Sequence, residues 1–83
     1  MRLQFIRLYV ETPASELSLI NCVKAAGGYD GTITRFRGGL YINARVLGET
    51  ALDAAAALRR ALEQSTIPME FIADLTPPRE TPL

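Results

Sequence analysis

The feature that most constrains this chain is a pair of strand-like runs separated by two glycines. Thr32–Arg37 and Leu40–Leu47 are rich in β-branched, aromatic and aliphatic residues, and Gly38-Gly39 stands between them. Two such runs around a glycine pair are typical of a β-hairpin. Because an isolated hairpin is only marginally stable in water, the rest of the chain must supply strands or helices that cover its apolar face.

The register of this hairpin follows from where its apolar residues fall. A two-residue loop that pairs Arg37 with Leu40 would place arginines on the face that Leu40 and its alternating neighbours need for a core. A three-residue loop, Arg37-Gly38-Gly39, pairs Phe36 with Leu40 and keeps that face apolar. We therefore predict the three-residue loop. It places four residues together on the opposite face: Arg35, Tyr41, Asn43 and Arg45.

Two further strands are predicted at the two ends of the chain. Leu3–Val10 is apolar on both alternating faces except at Arg7, which is typical of a central strand. Met69–Leu75 alternates as well, and Pro68 beside it favours a position at the edge of a sheet. The hairpin strands would lie between these two in sequence.

Three- and four-residue spacing of apolar residues predicts two helices between the strands. The first runs from a cap at Thr12-Pro13 to about Ala26, and the second from a capping box at Thr50-Ala51-Leu52-Asp53 to about Gln64. The stripes that we expect to be buried are Leu19, Ile20, Val23 and Ala26 in the first helix and Leu52, Ala55, Leu58 and Leu62 in the second.

The resulting order, β-α-β-β-α-β, resembles the split β-α-β, or ferredoxin-like, arrangement. This resemblance implies an α+β fold with a four-stranded antiparallel sheet and two helices on one face. The length predicts a single domain over residues 1–75, and the proline-rich residues 76–83 predict a flexible tail. Because Arg7 should not be buried beneath helices, we assign Ile6, Leu8 and Val10 to the helix face.

The face of the sheet that the helices leave uncovered combines arginines with aromatic residues. The formal net charge is zero, yet no acidic residue occurs between Gly31 and Gly48, so this region is locally positive. Tyr, Phe and Arg are enriched at protein interfaces. Arginines and aromatic rings also bind phosphates and stack on bases. The residues that we expect to bind a partner are Phe5, Arg7, Tyr9, Arg35, Arg37, Tyr41, Asn43 and Arg45.

Catalytic and metal-binding signatures are missing from the sequence. It contains no histidine, and its one cysteine, Cys22, is expected to be a buried, inert thiol in the first helix. The glycine-rich segment Gly27-Gly28-Tyr29-Asp30-Gly31 is not expected to be a phosphate-binding loop. It follows a predicted helix, whereas phosphate-binding loops follow a strand and precede a helix. Acylphosphatases share the order of elements, but Glu11-Thr12-Pro13 stands where their glycine-rich loop would be. We expect no enzyme activity, no cofactor and no metal.

A part of the hairpin resembles the third-strand signature of RNA-recognition motifs. The matching positions are Arg37, Gly38, Tyr41 and Ile42. Gly39 and Ala44 stand at positions where that signature has stacking aromatic residues. The resemblance implies binding of RNA or single-stranded nucleic acid, which we keep as the alternative to our main prediction, a small module that binds another protein.

In size and general character the chain also resembles small phage-encoded inhibitors such as anti-CRISPR proteins, which implies a viral protein that occludes a macromolecular partner. This resemblance carries no residue roles. A small core supplies only about 3–5 kcal/mol, so a homodimer is a further prediction. With one cysteine and neither a signal peptide nor an apolar run of about 18 residues, we expect a cytoplasmic protein without membrane contact.

Overall fold

The computed structural model describes residues 1–76. Its elements are β1 (Arg2–Glu11), α1 (Glu16–Ala25), β2 (Tyr29–Phe36), β3 (Gly39–Gly48), α2 (Ala51–Glu63) and β4 (Glu70–Asp74). The strands form one antiparallel sheet in the order β2-β3-β1-β4. This architecture confirms the predicted α+β class and is consistent with the ferredoxin-like pattern, with both helices packed on the same face of the sheet.

The core is aliphatic and lies between the sheet and the helices. Ile6 on β1 pairs with Ala44 on β3, and Leu8 pairs with Ile42. These four side chains are at most 2% exposed, and they form one buried cluster with residues of both helices, including Leu58. Full burial of an isoleucine or leucine side chain contributes about 1.5–3 kcal/mol. The two central strands therefore carry most of the sheet's share of the core.

α1 begins later than predicted. Its N-cap is Ser15 rather than Thr12, because the Ser15 side chain accepts a hydrogen bond from the N–H of Ser18 at 3.1 Å. The hydroxyl of Thr12 donates instead to the carbonyl oxygen of Pro68 at 2.7 Å. Thr12 therefore links the end of β1 to the segment that precedes β4, and the helix starts at Glu16.

α2 begins where the capping box predicts, since the Thr50 hydroxyl accepts a hydrogen bond from the N–H of Asp53 at 3.1 Å. The predicted buried stripe was wrong at Leu52, which is 72% exposed. Alanines lie there instead, so the buried residues are Ala51, Ala54, Ala55, Leu58 and Leu62. The helix thereby presents its smallest side chains to the end of β3.

The close approach of α2 to β3 requires glycine at position 48. A Cβ atom on Gly48 would lie 2.9 Å from the Cβ of Ala54 and 3.0 Å from its backbone nitrogen. These atoms are the backbone and the Cβ of a helical alanine, and none of them can rotate away. Any side chain at this position would therefore displace the first turn of α2.

We expect Gly48→Ala to lower the free energy of unfolding by about 1–3 kcal/mol, since the helix must shift to admit the methyl group. Urea unfolding monitored by circular dichroism measures the change. Glu49→Ala at the exposed neighbouring position is the matched control, with an expected effect within about 0.5 kcal/mol. Equal unfolding midpoints for Gly48→Ala and the parent would contradict this packing.

The predicted hairpin register was wrong by one residue. β2 and β3 are joined by a two-residue turn, Arg37-Gly38, closed by the pair Phe36–Gly39. Both turn residues have positive φ, at 51° and 82°. Positive φ at both central residues is the pattern of a type I′ turn, whose twist matches that of the flanking strands. Turn geometry therefore outweighed the apolar pattern on which the three-residue loop was predicted.

The observed register moves Arg35 to the helix side of the sheet, so its predicted place beside Tyr41 was wrong. Arg35 pairs with Leu40, and its Nε donates to Oε1 of Glu16 at 3.1 Å. The side chain is still 54% exposed because β2 is an edge strand, so the guanidinium remains solvated. Phe36 lies on the uncovered face instead.

Both edges of the sheet are irregular. The pairing of β2 with β3 shifts register between Tyr29 and Thr32, and Asp30 in this stretch has a φ of 51°. The other edge strand, β4, has five residues, and its pairing with β1 shifts register at Tyr9 and Val10. Bulges and charges on the inward side discourage the pairing of an edge with another chain. Neither edge offers a long, regular strand.

Candidate partner-binding surface

The face of the sheet opposite the helices carries five of the six aromatic residues. The sequence has three phenylalanines, three tyrosines and no tryptophan, and of these only Phe71 packs on the helix side. We call this surface the open face. Its residues on β1, β2 and β3 are Leu3, Phe5, Arg7, Tyr9, Tyr29, Thr32, Thr34, Phe36, Tyr41, Asn43, Arg45 and Leu47. No element described within residues 1–76 packs over it.

Three of these residues, Tyr9, Phe36 and Tyr41, form an aromatic cluster at the hairpin end of the open face. The ring centroids of Tyr9 and Tyr41 lie 4.9 Å apart, and those of Phe36 and Tyr41 lie 5.7 Å apart. The hydroxyl of Tyr9 donates to the carbonyl oxygen of Phe36 at 2.8 Å. Its ring crosses Gly39, where an added Cβ would clash with Cζ and the hydroxyl oxygen of Tyr9. The cluster thus attaches the hairpin to β1.

We expect Gly39→Ala to lower the free energy of unfolding by about 1 kcal/mol, because the displaced Tyr9 ring loses its hydroxyl hydrogen bond. In a Tyr9→Ala background the methyl group has room, and the same substitution should stabilise by about 0.4–1 kcal/mol through the unfolded state. Denaturant unfolding of the parent, the two single variants and the double variant gives the coupling free energy between Gly39 and Tyr9. An equal cost in both backgrounds would show that the ring does not use this space.

The middle of the open face is positively charged. Nε of Arg7 donates to Oδ1 of Asn43 at 2.7 Å, and Cζ of Arg7 lies 5.9 Å from the centre of the Phe5 ring. Arg45 lies opposite Phe5, so the two arginines are diagonal neighbours on adjacent strands. Three ion pairs form within the described part of the chain, and none includes Arg7, Arg37 or Arg45.

Arg37 extends this positive charge to the turn. Its Cζ lies 5.2 Å from the centre of the Phe36 ring, and its φ of 51° is left-handed. Glycine and asparagine tolerate that conformation better than arginine does. A strained residue at a surface turn is consistent with a function for its side chain.

Arg37→Asn should therefore raise the free energy of unfolding by roughly 0.5–1 kcal/mol, since asparagine suits the first position of this turn. Thermal and urea unfolding would measure the gain. Arg37→Lys keeps the positive charge, but lysine lacks the preference of asparagine for positive φ, so this variant should leave stability unchanged. A less stable Arg37→Asn variant would mean that the contact with Phe36 contributes more than the turn strain costs.

The chain continues beside β1 after β4 ends. The N–H of Leu75 donates to the carbonyl oxygen of Arg7 at 2.9 Å, and the N–H of Arg7 donates to Oγ1 of Thr76 at 3.0 Å. Thr76, the first residue of the predicted tail, is therefore hydrogen-bonded to the central strand. Residues 77–83, which make up the rest of that tail, lie outside the described residues.

Most of the predicted partner-binding residues lie together on this surface. Arg37 lies in the turn at its end, and Arg35 lies on the other side of the sheet. The residues on the open face are Phe5, Arg7, Tyr9, Tyr41, Asn43 and Arg45.

Six residues of the open face were missing from the prediction, and two of them are the threonines of β2, Thr32 and Thr34. Leu3 and Leu47 form a pair at the far end, where alternation from Phe5 and Arg45 would have found them. Tyr29 and Phe36 depend on the bulge and on the turn, which have no clear signal in the sequence.

Other candidate sites receive less support. Cys22 is partly buried and packs against the hydrophobic core. No group of three or more Cys, Asp or Glu residues that could hold a metal ion occurs within residues 1–76.

No protein family, curated protein or solved structure that was compared with this chain matches it. Neither α1 nor α2, the two helices of the described range, has the length and apolar character needed to cross a membrane.

Proposed function

We propose that this chain is a non-enzymatic binding module that engages another protein through its open face. The observation that carries the proposal is the placement of five of six aromatic residues on the face that the helices do not cover. Aromatic side chains bury the largest apolar areas and usually strengthen a core. On an uncovered face they are typical of the hot spots of interfaces.

The two edges of the sheet are poorer binding sites than the open face. Strand addition to an edge is the main other way in which a sheet binds a polypeptide. The bulge near Asp30 and the inward charge of Arg35 disfavour it at β2, and the shortness of β4 disfavours it at the other edge. The open face is the larger and more regular surface for a partner.

A protein partner suits this face better than nucleic acid. Leu3 and Leu47 are 42% and 48% exposed, and aliphatic side chains contact proteins more readily than they contact bases. The ring planes of the aromatic cluster are tilted by 50° and 32°, so they do not form one flat platform. Stacking of successive bases requires ring faces that are accessible and similarly oriented. The arginines fit either partner, and nucleic acid remains the alternative.

Binding rather than catalysis is supported by the sequence, which has no histidine to act as a general base. A module of this kind would act by covering a functional surface of its partner, as an inhibitor does. Self-association through the open face is a second use of the same residues, and the experiments below distinguish it.

Tyr41→Ala is expected to weaken partner binding by about 2 kcal/mol, or roughly thirtyfold in Kd, if Tyr41 is a hot spot. The immobilised chain would be incubated with an extract of its host, and the bound proteins compared between the parent and the variant. Leu52→Ala, which truncates an exposed side chain on α2, is the matched control and should leave capture unchanged. Circular dichroism would confirm that both variants are folded.

Three outcomes would count against the proposal. Equal capture by Tyr41→Ala and the parent would exclude the open face as the binding surface. Capture that is lost after nuclease treatment, with an affinity that falls steeply as salt rises, would favour nucleic acid. A parent chain that is dimeric by sedimentation, and that Tyr41→Ala makes monomeric, would assign the face to self-association.

A further inference from the structure

The open face has a fixed order of chemistry along its two central strands. Leu3 lies opposite Leu47 at one end, and the aromatic cluster lies at the other end, about 20 Å away at the rise of a β-strand. Arg7 and Arg45 lie between these two apolar regions. Along the strands, the open face therefore has a basic patch between two apolar patches.

The basic middle is prepared to receive carboxylates. The hydrogen bond from Nε of Arg7 to Oδ1 of Asn43, at 2.7 Å, holds the guanidinium in one orientation. Within residues 1–76, Arg7 forms one side-chain hydrogen bond, and Nε is its donor. The two terminal nitrogens of the guanidinium therefore keep their N–H donors for a partner. A guanidinium fork matches a carboxylate in a bidentate arrangement. Arg45 adds a second, diagonal positive charge without a carboxylate partner in the described chain.

We propose that the open face binds an acidic segment of another protein. Its carboxylates contact Arg7 and Arg45, and apolar side chains on either side of them pack on the aromatic cluster and on the pair Leu3–Leu47. Asn43 is a positioning residue that orients the Arg7 guanidinium. This inference rests on the proposed function, since it concerns the same face, and it adds the chemical class of the partner.

Charge complementarity favours this occupant over a second copy of the chain. A symmetric face-to-face dimer that buried the whole open face would bring the two arginine pairs against each other. Like charges opposed across an interface are strongly unfavourable. An acidic segment satisfies the same arginines, and its flanking apolar residues cover the leucines that a polynucleotide would leave exposed.

A random-peptide display library selected on the intact immobilised chain supplies the probe. We expect the enriched peptides to contain at least a pair of Asp or Glu residues flanked by apolar residues. One enriched peptide would then be synthesised, labelled and titrated by fluorescence anisotropy against the parent and its variants. Its affinity should fall as the salt concentration rises.

Asn43→Asp is the decisive variant. The aspartate keeps an oxygen acceptor for Nε of Arg7 but supplies the carboxylate that a partner would otherwise bring. We expect peptide affinity to fall at least about tenfold while the thermal midpoint stays the same or rises. A merely structural role for Asn43 would instead couple weaker binding to lower stability.

Arg60→Gln is the matched control for Asn43→Asp. It lowers the net charge by the same amount at an exposed position of α2 and should change affinity less than about twofold, because charges outside the face are screened. Arg7→Gln and Arg45→Gln should each weaken the peptide at least about tenfold.

The inference is overturned if no peptide is enriched, if the enriched peptides lack acidic residues, or if Asn43→Asp binds them as the parent does. Tighter binding of a single-stranded oligonucleotide than of the acidic peptide would overturn it in favour of nucleic acid. Tyr41-dependent capture of a protein without a preference for acidic peptides would leave the proposed function standing. Capture that does not depend on Tyr41 would instead contradict the proposed function itself.

Discussion

The pairing of β1 with β3 is the interaction on which both faces of this sheet depend. Its register sets Ile6 opposite Ala44 and Leu8 opposite Ile42, which gives the helices an aliphatic surface to cover. Because side chains alternate along a strand, the same register places Arg7 beside Asn43 on the other face. A slip of one residue would bury the arginine and expose the core. Stability and the binding surface are therefore specified by one set of pairs.

The two faces of the sheet differ in composition, since one is mainly aliphatic and the other carries most of the aromatic rings. The core is built from aliphatic residues and alanine, and α2 approaches the sheet through Ala51, Ala54 and Ala55. Five of the six aromatic rings, which would bury more area per residue, lie on the open face instead. Their internal contacts, such as that of Tyr9 across Gly39, hold them in place before a partner arrives. A surface ordered in advance loses less entropy on binding.

The turn at Arg37-Gly38 shows how a local choice alters the composition of a whole surface. By closing β2 and β3 with two residues, it directs Phe36 to the open face and Arg35 to the helix side. There Arg35 pairs with Glu16 and contributes an inward charge at the edge of the sheet, which discourages strand addition. The open face thereby gains a third ring for the aromatic cluster, and the arginines Arg7 and Arg45 remain its central charges.

The sequence by itself determined the order of elements, the central place of β1, the start of α2 at Thr50 and the placement of Phe5, Arg7 and Tyr9 on the uncovered face. Each follows from short-range alternation, capping or the cost of burying a charge. Only the tertiary structure decided the hairpin register and the face of Arg35, because strand twist outweighs the apolar pattern in a tight turn. It also decided that alanines of α2, and not Leu52, pack against the sheet. The distance between a helix and a strand depends on both elements, so the sequence of the helix alone does not determine it.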